Sequence, residues 1–197
     1  MLQKNLFKIL AQLISLLLSP MFVLPGIIYY SLYKFTDKQQ FWLFFLIINF
    51  LGILPILLIY FFLRKTGKIS DWEISKREER HQLNAYALSV GLILIFFLRN
   101  WFSPQLFNVI LLIFILFFIY ALITLFWKIS GHVLSITLAV CLLLGIFNFN
   151  WLITLLIPLV AWSRVYLKRH TLNQVGAGFL LTFLIFYLYI NLLGNKF

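Results

Sequence analysis

The chain has 197 residues, of which 63% are hydrophobic and only 11% charged, with a formal net charge of +11. A soluble domain averages about 25% charged residues, so the composition excludes an ordinary water-soluble globule and predicts an all-α, polytopic membrane protein, with residues 1–197 as a single integral membrane domain. The excess of positive charge does not indicate nucleic acid, because the basic residues are scattered through short loops with no soluble basic domain to hold a duplex; membrane lipids, anionic ones above all, are the expected partner.

A bilayer-crossing helix needs about 20 apolar residues at 1.5 Å rise each. In chain order, Ile9 to Tyr33, Phe41 to Leu63, His81 to Leu98, Gln105 to Trp127 and His170 to Asn195 are uncharged runs of that length between polar borders. Pro20 and Pro25 interrupt the first, and the residues near Lys4 and Lys8 are expected to form a short interfacial helix leading in. No small-residue cleavage motif follows this apolar stretch, so a retained helix is expected and not a signal peptide. Ile129 to Ser163 carries no formal charge over 35 residues; as one helix it would be roughly 50 Å long against a hydrocarbon core of about 30 Å. Two helices turning at Asn148, Phe149 and Asn150 are expected there, giving six to seven spans in all.

The six tryptophans, Trp42, Trp72, Trp101, Trp127, Trp151 and Trp162, fall in proposed loops or near proposed helix ends, as their amphipathic rings favour the headgroup level. The one cysteine, Cys141, excludes an intramolecular disulfide. Pro55 and Pro158 interrupt apolar runs and predict kinks. Gly176, Ala177 and Gly178 predict close helix packing and not a nucleotide loop, since they follow no strand.

If the spans alternate, the segments before residue 9, from Arg64 to Arg80, from Lys128 to His132 and from Lys168 to Gln174 share one face of the bilayer. Twelve of the 16 Lys and Arg residues lie on that face and four, including the C-terminal Lys196, on the other. The positive-inside rule then puts the richer face in the cytoplasm. All three histidines, His81, His132 and His170, lie on it.

Ser130, Gly131 and His132 open a helix, where first-turn N–H groups and the helix dipole favour an anion. A lone S-G-H triplet reads equally as a loop-to-helix junction with Ser130 as N-cap. Arg164, at a membrane boundary, either snorkels to headgroups or binds an anion. His170 and Gln174 are four apart, so on a helix they share a face and Gln174 can accept a hydrogen bond from the imidazole. The segment Asp71 to Arg80 reads D-W-E-I-S-K-R-E-E-R, a mixed-charge pattern that predicts a solvated helical face.

Taken together these residues resemble the type 2 phosphatidic acid phosphatase superfamily, whose pattern is K-x6-R-P, then P-S-G-H, then S-R-x5-H-x3-D. Arg80 matches the first element, Ser130, Gly131 and His132 the second, and Ser163, Arg164 and His170 the third, with the S-R-x5-H spacing kept. The resemblance covers roughly residues 60–190, the expected phosphatase-like core. Glu73 stands at the family's lysine, His81 and Ile129 at its prolines and Gln174 at its aspartate, while Lys76 is placed to substitute in part for the missing lysine.

The resemblance implies a lipid phosphate or diphosphate hydrolase in which His170 attacks phosphorus, His132 protonates the leaving alkoxide, and Arg80, Arg164, Ser130, Gly131 and Lys76 hold the phosphate oxygens. It implies no metal and no cofactor. Phosphatidic acid, phosphatidylglycerol phosphate and polyprenyl diphosphates all fit as substrates. With Gln174 in place of a carboxylate, the alternative is a non-catalytic lipid-headgroup-binding protein or transporter.

Overall fold

The computed structural model describes residues 2–193. Lys196, and the end of the last apolar run at Asn195, lie outside the described residues. The described residues form helices α1 (Leu2–Leu17), α2 (Pro20–Phe35), α3 (Lys38–Ile47), α4 (Leu54–Lys65), α5 (Glu78–Leu98), α6 (Pro104–Phe126), α7 (Gly131–Gly145), α8 (Leu156–Tyr166) and α9 (Leu172–Leu193), with no strand among them.

Local chemistry explains most of the boundaries. Pro20 opens α2, where a missing N–H costs nothing. The expected first span is therefore two helices, bent by 42° at the break after Leu17. Asp37 caps α3 by accepting from the N–H groups of Gln39 and Gln40 at 2.9 and 2.8 Å. Pro55 is the second residue of α4, and the preceding Ile48–Ile53 segment widens to a π-helix, which absorbs the hydrogen bond that proline cannot donate. Lys38–Lys65 thus runs as one 28-residue helix. Ser103 caps α6 and Pro104 starts it. The polar triplet does turn the chain: Asn148 has a φ of 54°, and Asn150 caps a 3₁₀ turn, Trp151–Leu155, that leads into α8.

Among the described residues four helices are long and apolar enough to cross a membrane, or five if the bent pair α1 and α2 counts as one span. The expected six to seven are not reached. The reason is length: α7 has 15 residues, or about 22 Å, and Trp151–Tyr166 is little longer, both short of a core of about 30 Å. Large apolar side chains remain exposed along the long helices, Phe126 at 82% and Leu192 at 83%. Such residues would each forfeit roughly 1.5–3 kcal/mol in water, so the protein is an integral membrane protein with these faces toward acyl chains.

The chain divides into two compact units. Unit 1 contains residues 2–27 and 129–193 and is built around α7, in which residues 132–140 are all buried. Its core joins Val133 and Ile136 of α7 to Val160 of α8 and Val175 of α9, with Ile14 of α1 packed against them. Unit 2 contains residues 28–128. Its cores gather Leu32, Phe44, Ile48, Phe102 and Leu106, and separately Tyr60, Leu63 and Ile69.

The segment Asp71 to Arg80 departs from the expected helical face. The Asp71 carboxylate accepts from the N–H groups of Glu73 and Ser75 and from the Ser75 hydroxyl, and a side chain that captures nearby N–H groups competes with helix formation. The helix therefore begins only at Glu78, and Lys76 lies before it, not one turn below Arg80 on it.

Candidate active site

In unit 1 the residues of the second and third motif elements lie at the start of α7, the end of α8 and the loop before α9, and backbone hydrogen bonds join the start of α7 to α9 and the end of α8 to that loop. Ser130, fully buried, is the N-cap of α7 and accepts from Val133 N–H at 3.4 Å. Gly131 and His132 are the first two helical residues, and His132 is 9% exposed. The first-turn amides and the positive end of the helix dipole lie here, beside an imidazole. The Ser130 N–H donates to the backbone carbonyl of Gln174 at 3.1 Å, which ties this turn to α9.

The S-R-x5-H spacing has a structural cause. Lys168 adopts a left-handed φ of 55°, Arg169 N–H donates to the Arg164 carbonyl at 3.0 Å, and Lys168 N–H donates to that of Val165 at 2.9 Å. These are the paired bonds of a Schellman cap ending α8. His170 N–H also donates to the Arg164 carbonyl, at 3.3 Å. The loop therefore curls back and fixes His170, 6% exposed, next to the end of the helix that carries Arg164. Ser163 is fully buried, its hydroxyl donating to Val160 O at 2.9 Å.

Arg164 is 2% exposed, and its guanidinium donates to the hydroxyl of Ser15 on α1, itself 1% exposed. Residues 1–27 and 129–195 include neither aspartate nor glutamate. A hydroxyl orients a guanidinium without neutralising it, so the electrostatic character of unit 1 favours an anion.

His170 Nδ1 lies 3.1 Å from Gln174 Oε1. The same amide oxygen accepts from Thr171 N–H at 3.2 Å, while Gln174 N–H donates to the Thr171 hydroxyl at 3.3 Å. This is a reciprocal T-x-x-Q capping box at the start of α9. Because a backbone donor identifies the facing amide atom as oxygen, an acceptor only, Nδ1 must be the atom that carries the proton. In a neutral imidazole protonated at Nδ1, the lone pair is on Nε2.

In unit 2, Arg80 is 7% exposed and doubly held: its Nε–H donates to Ile74 O at 2.8 Å and its Nη1 to the Tyr120 hydroxyl at 3.2 Å. Ile74 itself has a left-handed φ of 50° that presents this carbonyl. Lys76 is exposed and pairs with Glu79 at 3.4 Å. His81 Nε2 faces Thr124 O at 3.2 Å.

The histidines and arginines stand out in the sequence, but most of the residues that brace them do not. Thr171 is readable, since T-x-x-Q before an apolar run is a helix-start signature. Ser15 and Tyr120 carry no local signal, since each hydroxyl forms no motif with its neighbours in sequence.

The family model of the PAP2 superfamily matches residues 125–197, the stretch that contains the second and third motif elements. Comparison with curated proteins and with solved structures gives no match.

Proposed function

We propose that this chain, whose residues 125–197 match the PAP2 superfamily model, is a member of the type 2 phosphatidic acid phosphatase superfamily and hydrolyses a lipid phosphate or diphosphate through a phosphohistidine at His170. The observation that carries the reading is the Gln174 amide oxygen, which is fixed by Thr171 N–H and accepts from His170 Nδ1, leaving Nε2 as nucleophile.

In the first half-reaction His170 Nε2 forms a bond to phosphorus as the bond from phosphorus to the lipid oxygen breaks, and His132 protonates the departing alkoxide. In the second, His132 takes a proton from water, whose oxygen bonds to phosphorus and releases His170. Arg164, Ser130 and the Gly131 amide hold the equatorial oxygens, and the motif alone adds Arg80 as a proposed phosphate ligand. Phosphoryl transfer asks mainly for positioning and charge stabilisation, which fixed guanidinium groups and backbone donors supply. A site at helix ends in a protein made of apolar helices is most easily reached from the membrane, which favours a lipid over a soluble ester. The count of basic residues favours the cytoplasmic side.

One observation favours a second reading, lipid-headgroup binding without turnover: the neutral Gln174 cannot offset the charge that builds on His170 during attack. The test is phosphate release by the purified protein from a panel of lipid phosphates, with His170→Ala and His132→Ala as controls. Release lost in both variants supports the hydrolase. Binding without release by the wild type refutes it in favour of the headgroup reading.

A further inference from the structure

The residues matched by the family model begin at 125, yet the guanidinium that the proposed chemistry needs most in unit 1 is held by a residue far outside that stretch. Ser15 lies in the last turn of α1, buried, and accepts a hydrogen bond from Arg164 Nη1 across a sequence separation of 149 residues. Apolar packing seats the helix for this contact. Ile14 and Leu18 lie on the Val133, Val160 and Val175 core, and Phe7 meets the Trp162 ring edge-on at 6.5 Å.

We infer that Ser15 is a positioning residue of the anion site, its hydroxyl setting the orientation in which Arg164 meets a phosphoryl group. The inference rests on the reading of Arg164 as a phosphate ligand. Arginine presents five N–H donors in a rigid planar fork, so fixing one of them fixes the plane of the rest. Without the hydroxyl the guanidinium loses that reference, and the share of its ordering that Ser15 supplied falls to the ligand, which weakens binding of the ligand. The functional unit of the site therefore includes α1, and residues 125–197 do not hold all of it.

The experiment compares full-length wild type with Ser15→Ala and Ser15→Thr for the KM and kcat of lipid phosphate hydrolysis. In parallel, the orthovanadate concentration that raises the melting temperature by half its maximal shift is measured, which requires no turnover. Ser15→Ala is expected to raise both KM and the vanadate half-saturation by roughly ten- to hundredfold, the weight of a hydrogen bond to a charged group, with a smaller change in kcat. Ser15→Thr, which restores a hydroxyl, is expected to return both toward wild type, each variant's vanadate shift being taken from its own melting temperature without vanadate. Unchanged vanadate affinity in Ser15→Ala overturns the inference, as does a lower melting temperature with anion affinity intact, the mark of a purely structural serine. If the wild type binds vanadate but releases no phosphate, the hydrolase reading fails while the vanadate comparison still decides the role of Ser15.

Discussion

Gly178 of α9 lies directly against the backbone of Ser130: a Cβ built on Gly178 would stand 2.9 Å from the Ser130 carbonyl oxygen and 3.6 Å from Leu134 N. The atom in the way is backbone, so no rotamer change relieves it. Gly178→Ala is therefore expected to push the Ser130–Gly131–His132 turn away from α9, at a cost of about 1–3 kcal/mol typical of overpacking. Phosphate release should fall sharply. Gly176→Ala, where nothing lies within 4 Å, is the control, expected to keep wild-type turnover.

The capping box makes Gln174 an acceptor whatever its charge, so replacing its amide by a carboxylate preserves the geometry. Gln174→Glu keeps the side-chain length, the bond to Thr171 N–H and the bond to His170 Nδ1, and adds a negative charge beside an imidazole that becomes positive during attack. A charge-assisted hydrogen bond is worth about 1 kcal/mol more than a neutral one, so kcat is expected to rise roughly fivefold. Gln174→Ala removes cap and acceptor together and is expected to lower both kcat and thermal stability. A kcat unchanged by Gln174→Glu would mean that His170 is not the group that gains charge.

How much of this is legible in the sequence depends on the range over which each residue acts. The helical class, the break at Pro20, the turn at Asn148 to Asn150 and the His170–Gln174 bond are local, set by residues a few positions apart, and each is readable from spacing. The span count is less so, because an uncharged run of 35 residues shows that a turn is required but not how many residues the turn and its 3₁₀ approach consume. The pattern of charges puts Lys76 on the helix of Arg80 because it does not reveal that Asp71 captures the N–H groups of Glu73 and Ser75 just before it. Ser15 and Tyr120 brace their arginines across 149 and 40 residues, and no period or motif links them in a single sequence.

Tyr120 gives a test of Arg80 independent of unit 1. Its hydroxyl accepts from Arg80 Nη1, and Ile74 O holds the other side of the guanidinium. Tyr120→Phe keeps the ring that stacks with Phe117 at 5.8 Å and removes only the acceptor. If Arg80 binds substrate phosphate, KM is expected to rise by up to about tenfold, with kcat less affected, since a hydrogen bond to a charged group carries about 1.5–3 kcal/mol and Ile74 O retains part of the restraint. Equal KM in Tyr120→Phe and wild type would remove Arg80 from the binding set.

The chemistry proposed for unit 1 places the whole burden of phosphate recognition on the protein's own hydrogen-bond donors, and chelation tests that assignment. Of the five acids, Asp37 caps α3, Asp71 binds the N–H groups of Glu73 and Ser75, Glu78 pairs with Arg77 at 3.1 Å, and Glu79 accepts from Ser70 and pairs with Lys76. Three of these four tie down the segment before α5 or its first turn, and none comes from the sequence of unit 1. A metal-dependent phosphoryl transfer draws its charge stabilisation from the ion and stops when the ion is withdrawn. Hydrolysis by this chain is expected to continue unchanged in EDTA and to be inhibited by orthovanadate, whereas Arg164→Gln should abolish the vanadate inhibition. Loss of activity in EDTA, restored by a divalent cation, would show that an ion supplies the charge here assigned to Arg164 and Arg80.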